Sequence, residues 1–142
     1  MPSDFHAKIL SRLVDVGVPK FNLAHERLCN IIIDADVILG SALETQPLTL
    51  AQWDTLSGLF DDLIAYAKIH FTEEEEFLHV KNYPDLAQHR TKHNKLIDDL
   101  NAYQKIVQQN DEANIAEIRR WLLEWLLNHV NQEDRAYAQY LF

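Results

Sequence analysis

Three glycines and four prolines among 142 residues are too few turn-formers for a multi-stranded fold, which needs such residues between most of its strands. The single cysteine, Cys29, cannot close an internal disulfide, so the chain is not a small disulfide-stapled scaffold, and Cys29 reads as a small buried apolar side chain. Basic residues are also scarce. Thirteen Lys and Arg stand against 22 Asp and Glu, the net charge is −9, and no Lys/Arg cluster offers a phosphate-binding surface, which argues against DNA or RNA as a partner. No uncharged apolar run approaches the length that spans a bilayer, and the N-terminus lacks a basic segment followed by an apolar signal core. The chain is therefore expected to be cytoplasmic, with neither nucleic acid nor membrane among its partners.

What remains is rich in Leu, Ala, Glu, Gln and Lys, all good helix formers, in a length that suits one core. The expected class is all-α, with residues 1–142 forming one domain. Four apolar stripes with three- and four-residue steps run along the sequence. The first, about 21–40, is built on Phe21, Leu28, Ile32, Ala35 and Leu39, with Asn22 as N-cap and Gly40 as the stop. The second opens on Thr49 and Gln52, spaced as a capping box, carries Trp53, Leu56, Phe60, Leu63, Ala67 and Phe77, and ends before Asn82-Tyr83-Pro84. The third begins at Pro84, carries Leu86, Leu96, Leu100, Tyr103 and Val107, and closes in the polar stretch 108–112. The fourth carries Ile115, Ile118, Leu122 and Trp125. Short connections between such segments predict an antiparallel up-down-up-down four-helix bundle over about residues 21–142. Residues 1–20, with Phe5, Ile9, Leu10 and Leu13, read as an arm or short helix packed on it, and 136–142 as a short C-terminal helix.

The seven histidines are unusual for where they fall on this frame. His25 lies on the first seam, His70 and Glu74 on the second, His89 and His93 on the third and His129 on the fourth, whereas His6 and His79 lie off the seams. Two of seven heptad positions face a bundle core, so placing five of seven histidines there by chance is an event of roughly a few per cent. One seam histidine alone is ordinarily a hydrogen-bonded core residue. Five imidazoles and a carboxylate in one core would instead leave several donors and acceptors unpaired, at about 1–3 kcal/mol each. A metal centre resolves that cost, because imidazole nitrogen and carboxylate oxygen are its ligands. The i, i+4 pairs His70/Glu74 and His89/His93 each present two donors to one side of a helix. Asp134 follows His129 by five residues and would point about 140° away from it in an unbroken helix. It can join the cluster only if the backbone ends its helix, or takes a wider turn, within Val130–Glu133.

With His25 on the first helix, His70-Phe71-Thr72-Glu73-Glu74-Glu75 on the second, Tyr83-Pro84 before His89-x-x-x-His93 on the third, and His129 with Asp134 near the end, the sequence resembles the hemerythrin family. The likeness covers about residues 14–141 and is closest to the bacterial members. It implies a non-haem centre of two iron ions, Fe2+ or Fe3+, in which His89, His93 and His129 hold one iron and His25 and His70 the other. Glu74 and Asp134 bridge them, together with an oxo or hydroxo group. The first iron then has six ligands and the second five, and the position left over is where dioxygen binds reversibly, taking one electron from each iron. The implied function is oxygen carriage or storage. The alternative is an oxygen- or redox-sensing module that acts on a redox partner or a fused signalling domain.

The ligand set also argues for binding over substrate oxidation, so the protein is expected not to be an enzyme. Ferritin-like di-iron proteins use two Glu-x-x-His pairs and further glutamates, whose charge supports highly oxidised iron. Here the one Glu-x-x-His, Glu76 to His79, lies off the seam. Leu28, Phe71 and Trp125, each close in sequence to a ligand, are candidates for the apolar wall of a dioxygen pocket, and the same positions suit ordinary core. Two departures from the family pattern stand out: Asn22 takes the place of an aspartate, and an N-terminal tryptophan is missing. Glu73, Glu75 and Glu76 read as a solvated face.

Overall fold

The structure, a computed structural model, describes residues 4–44 and 47–142, and side chains for 7–42 and 47–142. Six α-helices follow in order among the described residues: α1 (Asp4–Ser11), α2 (Pro19–Glu44), α3 (Leu50–Val80), α4 (Leu86–Gln108), α5 (Ile115–Asn128) and α6 (Arg135–Leu141). A 3-10 turn at Glu112–Asn114 leads into α5, and a π-helical segment at His129–Asp134 joins α5 to α6. No strand is present among the described residues.

The helix boundaries follow local chemistry, in three places differently from the sequence reading. Pro19 opens α2, its fixed φ and missing N–H suiting the first helical position. Asn22 therefore sits inside the helix rather than at its cap: its Oδ1 accepts the Val16 N–H at 3.0 Å and its Nδ2 donates to Asp15 at 2.8 Å. Nor does Gly40 stop α2, which runs on to Glu44. A Cβ at Gly40 would come within 3.0 Å of the Arg119 guanidinium. That guanidinium is held by Asp36, one turn earlier, with Nε donating to Oδ1 at 2.6 Å. Glycine here makes room for a cation, at the usual helix cost of roughly 1 kcal/mol.

Thr49 caps α3 in the expected box, its hydroxyl accepting from the Gln52 N–H while the Gln52 side chain accepts from the Thr49 N–H. Beyond Val80 the backbone turns left-handed at Asn82, φ 55°. α4 begins at Leu86 rather than Pro84, because the chain is still completing that turn: the Leu86 N–H reaches back to the Tyr83 carbonyl, and the first helical carbonyl used is that of Asp85.

Cross-helix contacts establish the antiparallel order, since one residue number falls as its partner's rises. Between α2 and α3, Phe21 meets Phe77 and Arg27 lies over Tyr66. Between α3 and α4, Glu75 pairs with Arg90 and Asp61 with Gln104. α2 pairs with α5 through Asp36 and Arg119, and α4 faces α5 where Tyr103 stacks near Trp121. The four seams fill the centre: Phe21, Leu28, Ile32, Leu39, Leu56, Phe60, Leu63, Leu100, Val107, Ile118 and Leu122 are all buried. α1 packs on α2, with Ile9 buried and Leu10 and Leu13 partly so; the side chains of Phe5 and His6 lie outside the described residues.

Candidate metal centre

Eight buried polar or charged residues occur among the described ones, and seven of them converge at one level of the bundle: His25, His70, Glu74, His89, His93, His129 and Asp134. Asp36 is the eighth. α2 supplies His25, α3 His70 and Glu74, α4 His89 and His93, and the π-helical segment His129 and Asp134. Because a π-helix closes hydrogen bonds across five residues rather than four, the five-residue step from His129 to Asp134 returns to the same face. The expected widening of the turn is thus present, and His129 Nε2 lies 3.0 Å from Asp134 Oδ1.

The donor atoms form two groups, each within 4.8 Å: Glu74, His89, His93, His129 and Asp134 in one, His25, His70, Glu74 and Asp134 in the other. Both carboxylates belong to both groups, and each divides its oxygens between them. Glu74 Oε1 lies 2.7 Å from His89 Nε2 and 3.1 Å from His93 Nε2, while Oε2 lies 3.4 Å from His70 Nε2 and 3.7 Å from His25 Nε2. Asp134 Oδ1 lies 3.1 Å from His89 Nε2, while Oδ2 lies 3.0 Å from His25 Nε2.

Both ring nitrogens of His25 and of His70, and both oxygens of Asp134, are buried without a hydrogen bond. His25 Nε2 and Asp134 Oδ2, at 3.0 Å, and His70 Nε2 and Glu74 Oε2, at 3.4 Å, are near enough to bond, so there the failure is angular, as for lone pairs aimed at a common point rather than at one another. A pair of cations at the two foci would satisfy them, and the nitrogen and oxygen donor set suits iron or zinc. The residues present fit such a group.

Electrostatics point the same way. Burial disfavours an imidazolium at His25, but the carboxylates of Asp134 and Glu74 outweigh it and raise its pKa to about 9. His89 is raised to about 9 by the same balance. Burial pushes the Glu74 carboxyl up, and the imidazoles of His25, His70, His89 and His93 around it hold it well below its usual range. Burial and the Glu74 charge act likewise on Asp134, where His129 and His25 prevail and lower it. The two carboxylates are thus held anionic, and a metal bound here would compete with the protons they draw to His25 and His89.

This arrangement matches a known domain. The model of the hemerythrin HHE cation binding domain matches residues 16–141. The chain belongs to the hemerythrin family. The bacteriohemerythrin of Clostridium acetobutylicum is 24% identical over 124 residues, covering 87% of this chain and 92% of that protein. The bacteriohemerythrin of Stenotrophomonas maltophilia is 26% identical over 88% of this chain and 75% of its own. The myohemerythrin of Theromyzon tessulatum is 32% identical over 57% of this chain and 62% of its own.

Around the hemerythrin-type cluster, Phe71 stacks flat on His93, centroids 3.9 Å apart and planes 4° from parallel, with Trp125 6.2 Å beyond. Leu28 is fully buried in the surrounding core. Phe21 stands edge-on to His70 at 5.6 Å, a neighbour that the sequence offered only as a stripe residue. A cleft of about 270 Å³ between α4 and α5 runs past Trp121 and Trp125 to His129, and one of about 360 Å³ between α3 and α4 reaches Phe71 and His93. His79 is exposed and lies outside both donor groups.

Two further residues touch the cluster that the sequence did not single out. Tyr137 is fully buried and donates its hydroxyl to Glu74 Oε2 at 3.1 Å. Burial first, then the Glu74 and Asp134 charges, push its phenol far above the ordinary value, so it stays a donor. Its signal was its place three residues after Asp134 on a helix face. Glu75 is not part of a solvated face: its side chain is 17% exposed and accepts a hydrogen bond from His93 Nδ1 at 3.0 Å.

Proposed function

We propose that the protein binds dioxygen reversibly at a non-haem di-iron centre, as an oxygen carrier or store. The observation that carries this reading is the division of the donors, three imidazoles to one side and two to the other, with both carboxylates shared between them. On this reading His89, His93 and His129 hold one iron, His25 and His70 the second, and Glu74 and Asp134 span the two. An oxo or hydroxo group would complete the set that these residues hold. When bound, the iron pair supplies the electrons and the open coordination position that dioxygen requires.

The chain's own residues supply orientation and dryness. Phe71 fixes the plane of His93, and Tyr137 holds one oxygen of Glu74 so that the other remains for the three-histidine side. Phe21 against His70, and Phe71 against His93 and His129 with Trp125 beyond it, set apolar rings beside the donors, and Leu28 is buried in the surrounding core; such a shell would exclude water and slow oxidative loss of a bound gas. Membership in the hemerythrin family supports the same conclusion.

Iron-loaded, reduced protein should develop a visible charge-transfer band on exposure to air and lose it when oxygen is removed. Direct conversion to a ferric form, with no band that reverses, would overturn the proposal.

A further inference from the structure

We infer that Glu75 is the positioning residue of the centre, fixing the ring of His93 so that Nε2 is the nitrogen presented to a metal. The inference rests on the proposed metal site but not on its oxygen chemistry. His93 is held on three sides. Its face lies on Phe71, its Nδ1 donates to Glu75 Oε2 at 3.0 Å, and its Nε2 lies 3.1 Å from both Glu74 Oε1 and His129 Nε2. Stacking restricts the plane of an imidazole but leaves its two flipped orientations open, and the proton can sit on either nitrogen. A carboxylate at Nδ1 removes both freedoms, because it accepts from an N–H and repels a lone pair. With a metal at the cluster, Nε2 would then be the nitrogen that turns its lone pair to it, and the anion at Nδ1 would make it a stronger donor.

Glu75 is itself anchored. Its other oxygen, Oε1, accepts from Arg90 Nε at 2.8 Å, so its two oxygens are divided between the ligand and a cation three residues before it on α4. Arg90 is about half exposed, whereas His93 is 1% exposed, so a solvent-side cation is linked to a buried ligand through one carboxylate. The two-histidine side has no counterpart: Nδ1 of His25 and of His70 make no hydrogen bond. The device serves the three-histidine side alone.

Zinc is a suitable probe, being redox-silent and bound by the same nitrogen and oxygen donors. In chelator competition with the full chain, Glu75→Ala should bind zinc about 10- to 100-fold more weakly, the usual cost of losing a residue that orients a ligand. Glu75→Gln keeps an acceptor oxygen and should stay within a few-fold of wild type. In the zinc-loaded protein the His93 Nδ1–H proton should be visible by nuclear magnetic resonance in wild type and Glu75→Gln, and lost to solvent exchange in Glu75→Ala. Arg90→Ala, an exposed change, should weaken zinc by a smaller factor and serves if Glu75→Ala does not fold. Unchanged affinity in Glu75→Ala, or in Arg90→Ala where that variant stands in, would overturn the inference, as would equal losses in Glu75→Ala and Glu75→Gln. A wild-type protein that takes up zinc but shows no oxygen-dependent band when iron-loaded would refute the oxygen-binding reading and leave this one standing.

Discussion

Tyr137 donates a hydrogen bond to a carboxylate with no exposed surface of its own, in a place where water cannot replace it. Tyr137→Phe keeps the ring and deletes the donor, and should cost about 1–2 kcal/mol of stability with helix content retained, as read by denaturant unfolding of the metal-free protein. Cys29 tests burial at the same scale. Burial raises its thiol to about 11, so at pH 8 it should resist alkylation in the folded protein and react promptly in denaturant. Its contribution to stability has the sign of a raised acid. The folded chain keeps a proton that the unfolded chain releases, so stability should decline as pH rises from the ordinary thiol range of about 8.5 toward 11. Individual residues were also where sequence patterning was weakest. Glu75 sits in a run of four glutamates, and charge adjacency hides that Glu75 turns to His93 and Arg90 on α4 beside Glu74, whereas Glu73 pairs with Lys20 on α2. Tyr137 lies in a seven-residue helix too short to show a stripe.

At the scale of elements, periodicity and caps did most of the work. Thr49 and Gln52 mark the start of α3, and the three- and four-residue steps through Leu56, Phe60 and Leu63 mark its buried face. Gly40 misleads for a physical reason, because the feature that makes a glycine useful there, the Arg119 guanidinium on another helix, has no local signature. The π-helical segment was legible only through the mismatch between His129 and Asp134, a five-residue step that an α-helix cannot reconcile. That segment also ties down the N-terminal arm: the Asn131 side chain accepts the Val14 N–H at 3.2 Å and donates to the Arg12 carbonyl at 3.0 Å. Asn131→Ala should therefore release residues 12–14, seen as faster hydrogen exchange at Val14, at a cost of about 1–2 kcal/mol. Asp134→Ala should spare α5 and α6 yet lower bound iron well below the wild-type stoichiometry by elemental analysis.

Across the whole molecule, four antiparallel helices carry apolar seams that close around one polar cluster, and the cluster is a burden on the metal-free fold. Its buried, unbonded nitrogens and oxygens each cost free energy that a metal would recover. Metal loading should accordingly raise the melting temperature by several degrees, since a ligand at about 100 times its dissociation constant adds roughly 2.7 kcal/mol. A strong chelator should reverse the shift. The measurement that decides whether the seven converging residues share a metal pair is anomalous diffraction at the iron edge, from crystals of the reduced, iron-loaded protein. Two iron peaks should appear, one among His89, His93 and His129 and one beside His25 and His70, with Glu74 and Asp134 reaching both. A single peak, or iron bound away from these residues, would contradict the assignment.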